Sequence, residues 1–185
     1  MQKNILKICL GILCSFCFLF GSSSTTFAAS KTLNVTRVRQ AKSNWCWAAS
    51  SEMVGRYGVS TSRDQWAVVD LIWGPTYPNQ PGSVANMVSG VQFVSNYTKQ
   101  AKSSSSLLSL SNIQSRINSG KPMIARLAWN SGDGHAIVLS GYSNSQIRCI
   151  DPWENTSTTY YEYNKLKNGG SFLTGTGKAT HTVYY

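Results

Sequence analysis

The spacing of apolar residues changes about halfway along this chain. Over 45–57 the run WCWAASSEMVGRY is rich in helix formers, with Cys46, Ala49, Met53 and Tyr57 recurring on one face before Gly58 stops it. This predicts a helix that begins at or just before Cys46. A second stretch, 63–73, carries Trp66, Val69 and Trp73 at helical spacing and runs into the turn-rich segment GPTYPNQPG. Ser83 is placed to cap a third helix whose apolar stripe is Val84, Met87, Val88 and Val91. Past a polar, Ser-rich connection over 98–109 the period shortens. Ser111 can cap a short helix over 112–118, after which PMIARLAW, HAIVLSGY and QIRCIDPW read as strands, the last two joined by turn residues 143–145. TTYYEY and HTVYY supply two more strands, and residues 29–39 form an extended lead-in. Helices first and antiparallel strands second predict an α+β domain, with a cleft where the halves meet.

Composition alters this picture chiefly at the start. Lys3 and Lys7 precede an apolar run over 8–20, and a polar stretch leads into Thr26-Phe27-Ala28-Ala29, the layout of a secretory signal cleaved after Ala28. Residues 1–28 are therefore assigned to a signal peptide and 29–185 to one folded domain. The apolar run is shorter than the roughly 20 residues that cross a bilayer, so no stable membrane insertion is expected after cleavage. The protein is expected to be secreted, outside the cell or in its envelope. Cleavage leaves Cys46 and Cys149 of the five Cys, and 15 basic against 7 acidic residues, a formal charge of +8. That surplus never gathers into a run, which argues against a nucleic-acid partner and for loose association with an anionic cell surface. With 42% hydrophobic residues the chain is too apolar to be disordered, and a monomer is expected.

Four positions then carry candidate chemistry. A cysteine nucleophile works as a thiolate, which is favoured at a helix N-terminus beside an imidazole, and Cys46 is predicted to occupy such a place. Trp45 and Trp47 would either wall the sulfur or simply pack in the core. His135 opens a strand after the turn Ser131-Gly132-Asp133-Gly134 and is the better base, because His181 lies in a terminal strand with no acidic neighbour. Asp151 ends the next strand, and a hairpin turning at 143–145 would return it to His135 as the group that orients the ring; Asp133, in the turn itself, is the alternative. Gln40 lies six residues before Cys46, where its amide and the Cys46 backbone N–H could form an oxyanion hole. Cys149, in the strand IRCID, reads either as a disulfide partner or as a small buried hydrophobe.

Taken together, QAKSNWCWAAS, GDGHAIVLSGY and IDPWE resemble the papain-like cysteine peptidases. The order Gln, Cys, His, then Asp or Asn is that superfamily's pattern, and WCWAA with Asp-Pro-Trp is most similar to a compact bacterial branch containing secreted peptidases and an effector protease of plant pathogens. The resemblance implies a papain-like fold, a helical half packed on a β half with the active site in the cleft. It also implies Cys46 as nucleophile, His135 as base and acid, Asp151 as orienter, Gln40 as oxyanion donor, a protein or peptide substrate, and neither metal nor cofactor. Asp151 departs from the Asn usual in plant and animal members. A cell-wall amidase or acyltransferase using the same thiol chemistry is the alternative, although wall amidases carry Gln directly before Cys, where Asn44-Trp45 stand here. A catalytically silent binding protein on the same fold is a third.

Overall fold

The computed structural model describes residues 29–153 and 155–185. The leader expected over 1–28 lies outside the described residues. Helix α1 (Cys46–Arg56) is buried from Trp47 to Gly55, so it is the central element of the helical half rather than a one-faced surface helix. Helices α2 (Gln65–Trp73) and α3 (Val84–Val94) pack beside it. Both begin where a side chain takes up the first free N–H groups. Asp64 accepts from the Ala67 N–H at 3.0 Å, and Ser83 forms a reciprocal capping box with Asn86.

The β half is an antiparallel sheet. Its strands are β1 (Ser30–Thr32), β2 (Lys102–Ser104), β3 (Met123–Trp129), β4 (Gly134–Ser143), β5 (Gln146–Ile150), β6 (Thr158–Glu162), β7 (Gly170–Phe172) and β8 (Gly175–Tyr184). They run in the order β2-β8-β3-β4-β5-β6, with β1 added to β4 and β7 to β8. Helix α4 (Leu110–Asn118) starts two residues earlier than expected, because Ser109 rather than Ser111 accepts from the Asn112 N–H. The expected terminal strand HTVYY is the end of the much longer β8. Its glycine-rich first part lies outside the expected strand, yet Gly177 pairs with Trp129 and lies so close to Ala128 that a Cβ would overlap the carbonyl oxygen.

The two halves meet along α1 and β4, where the Ser50 hydroxyl donates to the Ala136 carbonyl at 3.1 Å. Buried Lys99 closes the far end of α1. Its ammonium donates to the carbonyls of Val54, Gly55 and Tyr57, acceptors that the helix leaves open at its C-terminus. Lys99→Met keeps much of the apolar stem but strips three carbonyls of a charged donor. It is expected to lower stability by about 3 kcal/mol, measured by chemical denaturation. Among the described residues no helix is long and apolar enough to cross a membrane.

Candidate active site

Cys46 is the first residue of α1 and half-buried. The N-cap, Trp45, offers no side-chain oxygen, so no capping group occupies the positive end of the helix dipole beside the sulfur. The thiol lines a cleft of about 790 Å³ between the halves, with His135, Asp133, Trp129 and Trp153 across from it.

His135 is the second residue of β4 and 5% exposed. Its Nε2 lies 2.8 Å from Asp151 Oδ1, which also accepts the Trp153 backbone N–H at 2.8 Å. The imidazole and the Cys46 thiol line the same cleft and interact electrostatically, and with Nε2 committed to Asp151 the nitrogen left for sulfur is Nδ1. Burial alone would depress the pKa of His135, but Asp151 and Cys46 outweigh it and raise the pKa to about 9. Burial likewise works against charge on Asp151, yet the imidazole, the Trp153 N–H and the Thr156 hydroxyl hold its carboxyl below the ordinary range.

A β-bulge makes this pairing possible. At the tip of the β4–β5 hairpin Ser143 faces Gln146, and that register, continued unchanged, would set Asp151 opposite Val138. The register instead slips by one between Leu139 and Gly141, so that Ile150 faces Val138. Continued by one residue, this puts Asp151 opposite Ile137, which shares a face with His135. Because side chains alternate along a strand, the unslipped register would have pointed Asp151 to the opposite face from His135. The extra residue, Ser140, is fully buried, and its hydroxyl accepts from Arg148 at 2.7 Å.

Gln40 is brought close but turned aside. Its Nε2 donates to the carbonyls of Lys42 at 3.0 Å and Ser43 at 2.7 Å, and it lines a small hollow that adjoins the main cleft at Ser43 and Trp153. Buried Gln65 fixes the backbone on both sides of it, donating to the Arg39 carbonyl and accepting the Ala41 N–H, each at 2.8 Å. The Gln40 N–H itself donates to Pro152, next to Asp151. Sequence reasoning missed Gln65; a polar residue at the first turn of an amphipathic helix gives no sign that it braces a distant loop.

The tryptophan pair follows the packing alternative. Trp45 and Trp47 are fully buried, and their indole N–H groups donate to the carbonyls of Pro78 and Gln80, holding the loop that forms one rim of the cleft. The aromatic walls of the imidazole are instead Trp129, stacked at 6.1 Å between centroids, and Trp153, edge-on at 6.3 Å. His181 sits on β8 and contacts the Thr180 hydroxyl, outside the cleft. Cys46 and Cys149 are both free; Cys149 is buried, which pushes its thiol pKa up and leaves it an apolar filler. Among the described residues no group of three His, Cys, Asp or Glu is placed to hold a metal ion.

The sequence model of the Peptidase C39-like family matches residues 32–175, from the end of β1 to the start of β8. The chain belongs to the Peptidase C39-like family. Membership makes it a cysteine-type peptidase and places it in a bacterial papain-like group. Among solved structures, a protein described as a C39-like peptidase from Bacillus anthracis superposes with a TM-score of 0.58 at 13% identity, over 85% of this chain and 98% of that one. The peptidase domain of Streptococcus ComA, a bi-functional ABC transporter, gives 0.58 at 14% identity over 79% and 93%. A double-glycine-motif protease from an AMS/PCAT transporter, in complex with a leader peptide, gives 0.55 at 17% identity over 83% and 91%. At these identities the structures establish a shared α+β fold. No curated protein matches.

Proposed function

We propose that this C39-like chain is an exported thiol peptidase that cleaves peptide bonds through an acyl-enzyme built on Cys46, His135 and Asp151. The observation that carries this reading is the single imidazole that bonds Asp151 through Nε2 at 2.8 Å while engaging Cys46 on its other side. Cys46 Sγ attacks the scissile carbonyl carbon, and its proton resides on His135 Nδ1. The tetrahedral oxyanion is held by the Cys46 N–H at the uncapped start of α1, with Gln40 as second donor once its amide releases one of the two loop carbonyls. Collapse breaks the C–N bond, and the leaving amine takes the Nδ1 proton. Water then attacks the thioester, giving its proton to His135, and the acid product departs with the thiol restored. Asp151 keeps the ring in one tautomer throughout.

A peptide substrate is supported by the family and by the leader-peptide complex of the AMS/PCAT relative. We further propose that residues 1–28 are removed on export and that the remaining domain acts as a secreted monomer, drawn to anionic surfaces by its net charge of +8. The reading is tested by treating the protein with iodoacetamide and mapping the modified residue by mass spectrometry. Rapid labelling of Cys46 that abolishes peptide hydrolysis is expected. Retention of hydrolysis after stoichiometric Cys46 labelling overturns it.

Gln40→Ala separates a donor from a brace. Loss of one oxyanion donor typically costs about 100-fold to 1,000-fold in turnover. We expect a loss of that size in kcat with a thermal midpoint near that of the wild type, since the Gln65 bridge and the Pro152 contact still hold the segment. A collapse in stability would assign Gln40 to the loop alone.

A further inference from the structure

A second, smaller hollow of about 60 Å³ lies against Cys46 and His135, lined further by Arg126, Gly134, Ala136 and Gly82. Of its lining residues Cys46, Arg126 and His135 can carry charge, and apart from the nucleophilic sulfur none would be negative. Asp133 lines the larger cleft and not this hollow. Arg126 is an unusual residue for the middle of a central strand: β3 runs between β4 and β8, and its neighbours Ala125 and Leu127 are buried.

Two features hold its guanidinium there. The β3–β8 register slips between Arg126 and Leu127, pairing Arg126 with His181 and Leu127 with Ala179. The residue left over is Thr180, whose hydroxyl accepts from Arg126 Nη1 at 3.1 Å. On the other side, a Cβ at Gly134 would stand 3.2 Å from Arg126 Nη2 and 2.7 Å from the Leu127 carbonyl, so the glycine before His135 is what leaves room for the guanidinium. Among the described residues no carboxylate pairs with Arg126 within ion-pair distance. The fork therefore has donors to spare, facing a hollow next to the nucleophile.

We propose that Arg126 is a specificity residue that selects peptides with an aspartate or glutamate within two positions of the scissile bond. The inference rests on the peptidase reading above and names its substrate class. The volume is about that of two waters, enough for a short carboxylate side chain and too little for an aromatic one. A carboxylate there would meet a planar guanidinium that is already oriented by Thr180, in a site partly shielded from water, where such charge-assisted bonds are stronger than neutral ones.

The test is cleavage of a peptide library by the purified protein, with products identified by mass spectrometry, followed by kcat/KM on matched Asp/Asn and Glu/Gln pairs at the preferred position. The wild type is expected to favour the acid over its amide by at least about 10-fold. Arg126→Gln should erase that preference while still cutting the amide peptides, and Arg126→Glu should turn it toward Lys or Arg. Cleavage with no acidic preference by the wild type, or a preference that survives in Arg126→Gln, overturns this proposal and leaves the peptidase reading intact. Should either variant fail to fold, the wild-type Asp/Asn and Glu/Gln ratios decide alone. A wild type that cuts no library member overturns both.

Discussion

Cys46→Ala is expected to abolish peptide hydrolysis, with turnover falling by at least about 10,000-fold, while Cys149→Ser keeps most of it. The contrast follows from placement. Cys46 lies at the start of a helix, in a cleft, beside an imidazole; Cys149 is sealed in the sheet with a thiol that burial keeps protonated. Fold loss would confuse the comparison in Cys149→Ser more than in Cys46→Ala, because only the former puts a hydroxyl into a closed apolar site. The measurement is therefore made alongside circular dichroism. Appreciable turnover in a folded Cys46→Ala protein would remove the nucleophile from the mechanism.

The second large effect concerns the imidazole and its partner. His135 carries the proton in both acylation and deacylation, so His135→Ala should be nearly inactive. Asp151 acts only through the ring, and Asp151→Ala should keep measurable activity. Asp151→Asn should be milder still, since the amide oxygen can accept the same Nε2–H. The pH profile gives a readout that a merely structural role would not move. His135 loses its proton near pH 9, and Asp151 is one of the groups that raise it that far against the effect of burial. Replacing the carboxylate lowers the imidazole pKa, so the alkaline limb of kcat/KM should lie near pH 9 in the wild type and move to lower pH in both Asp151 variants. Asp133→Ala should leave that limb in place. If Asp133→Ala were the more damaging change, the orienting role would belong to Asp133.

What the sequence disclosed of this architecture depended on how local each signal is. The first three helices were legible because their apolar spacing and caps sit within a few residues, as with Ser83 and Asn86. Strand β2, helix α5 (Tyr163–Asn168) and strand β7 were not expected. Each is six residues or shorter, and β2 exists only because Lys102 to Ser104 meet the far end of β8. At the site, the hairpin that returns Asp151 toward His135 could be inferred, but the bulge at Ser140 that selects the correct face could not, because it is decided by pairing across strands. The tryptophans illustrate the same limit. Sequence left Trp45 and Trp47 as either walls or core packing and pointed to no other ring, whereas Trp129 and Trp153, each distant from Cys46 along the chain, are the rings that shield His135.

The indole anchors of the rim loop bear on how such an enzyme can diversify. Trp45 and Trp47 grip main-chain carbonyls at residues 78 and 80, atoms that any amino acid supplies. The adjoining Pro81 lines both the main cleft and the smaller hollow. Shape and selectivity are thereby assigned to different atoms of one short segment. Mutational drift at 78, 80 and 81 can redraw what the rim accepts while the scaffold keeps its hold, whereas the indoles, and the Asn79 side chain that bonds Asn44 and Ser43, are the hold itself. In a set of evolved variants, substitutions that change peptide preference should accumulate at 78, 80 and 81, and the two tryptophans should stay fixed.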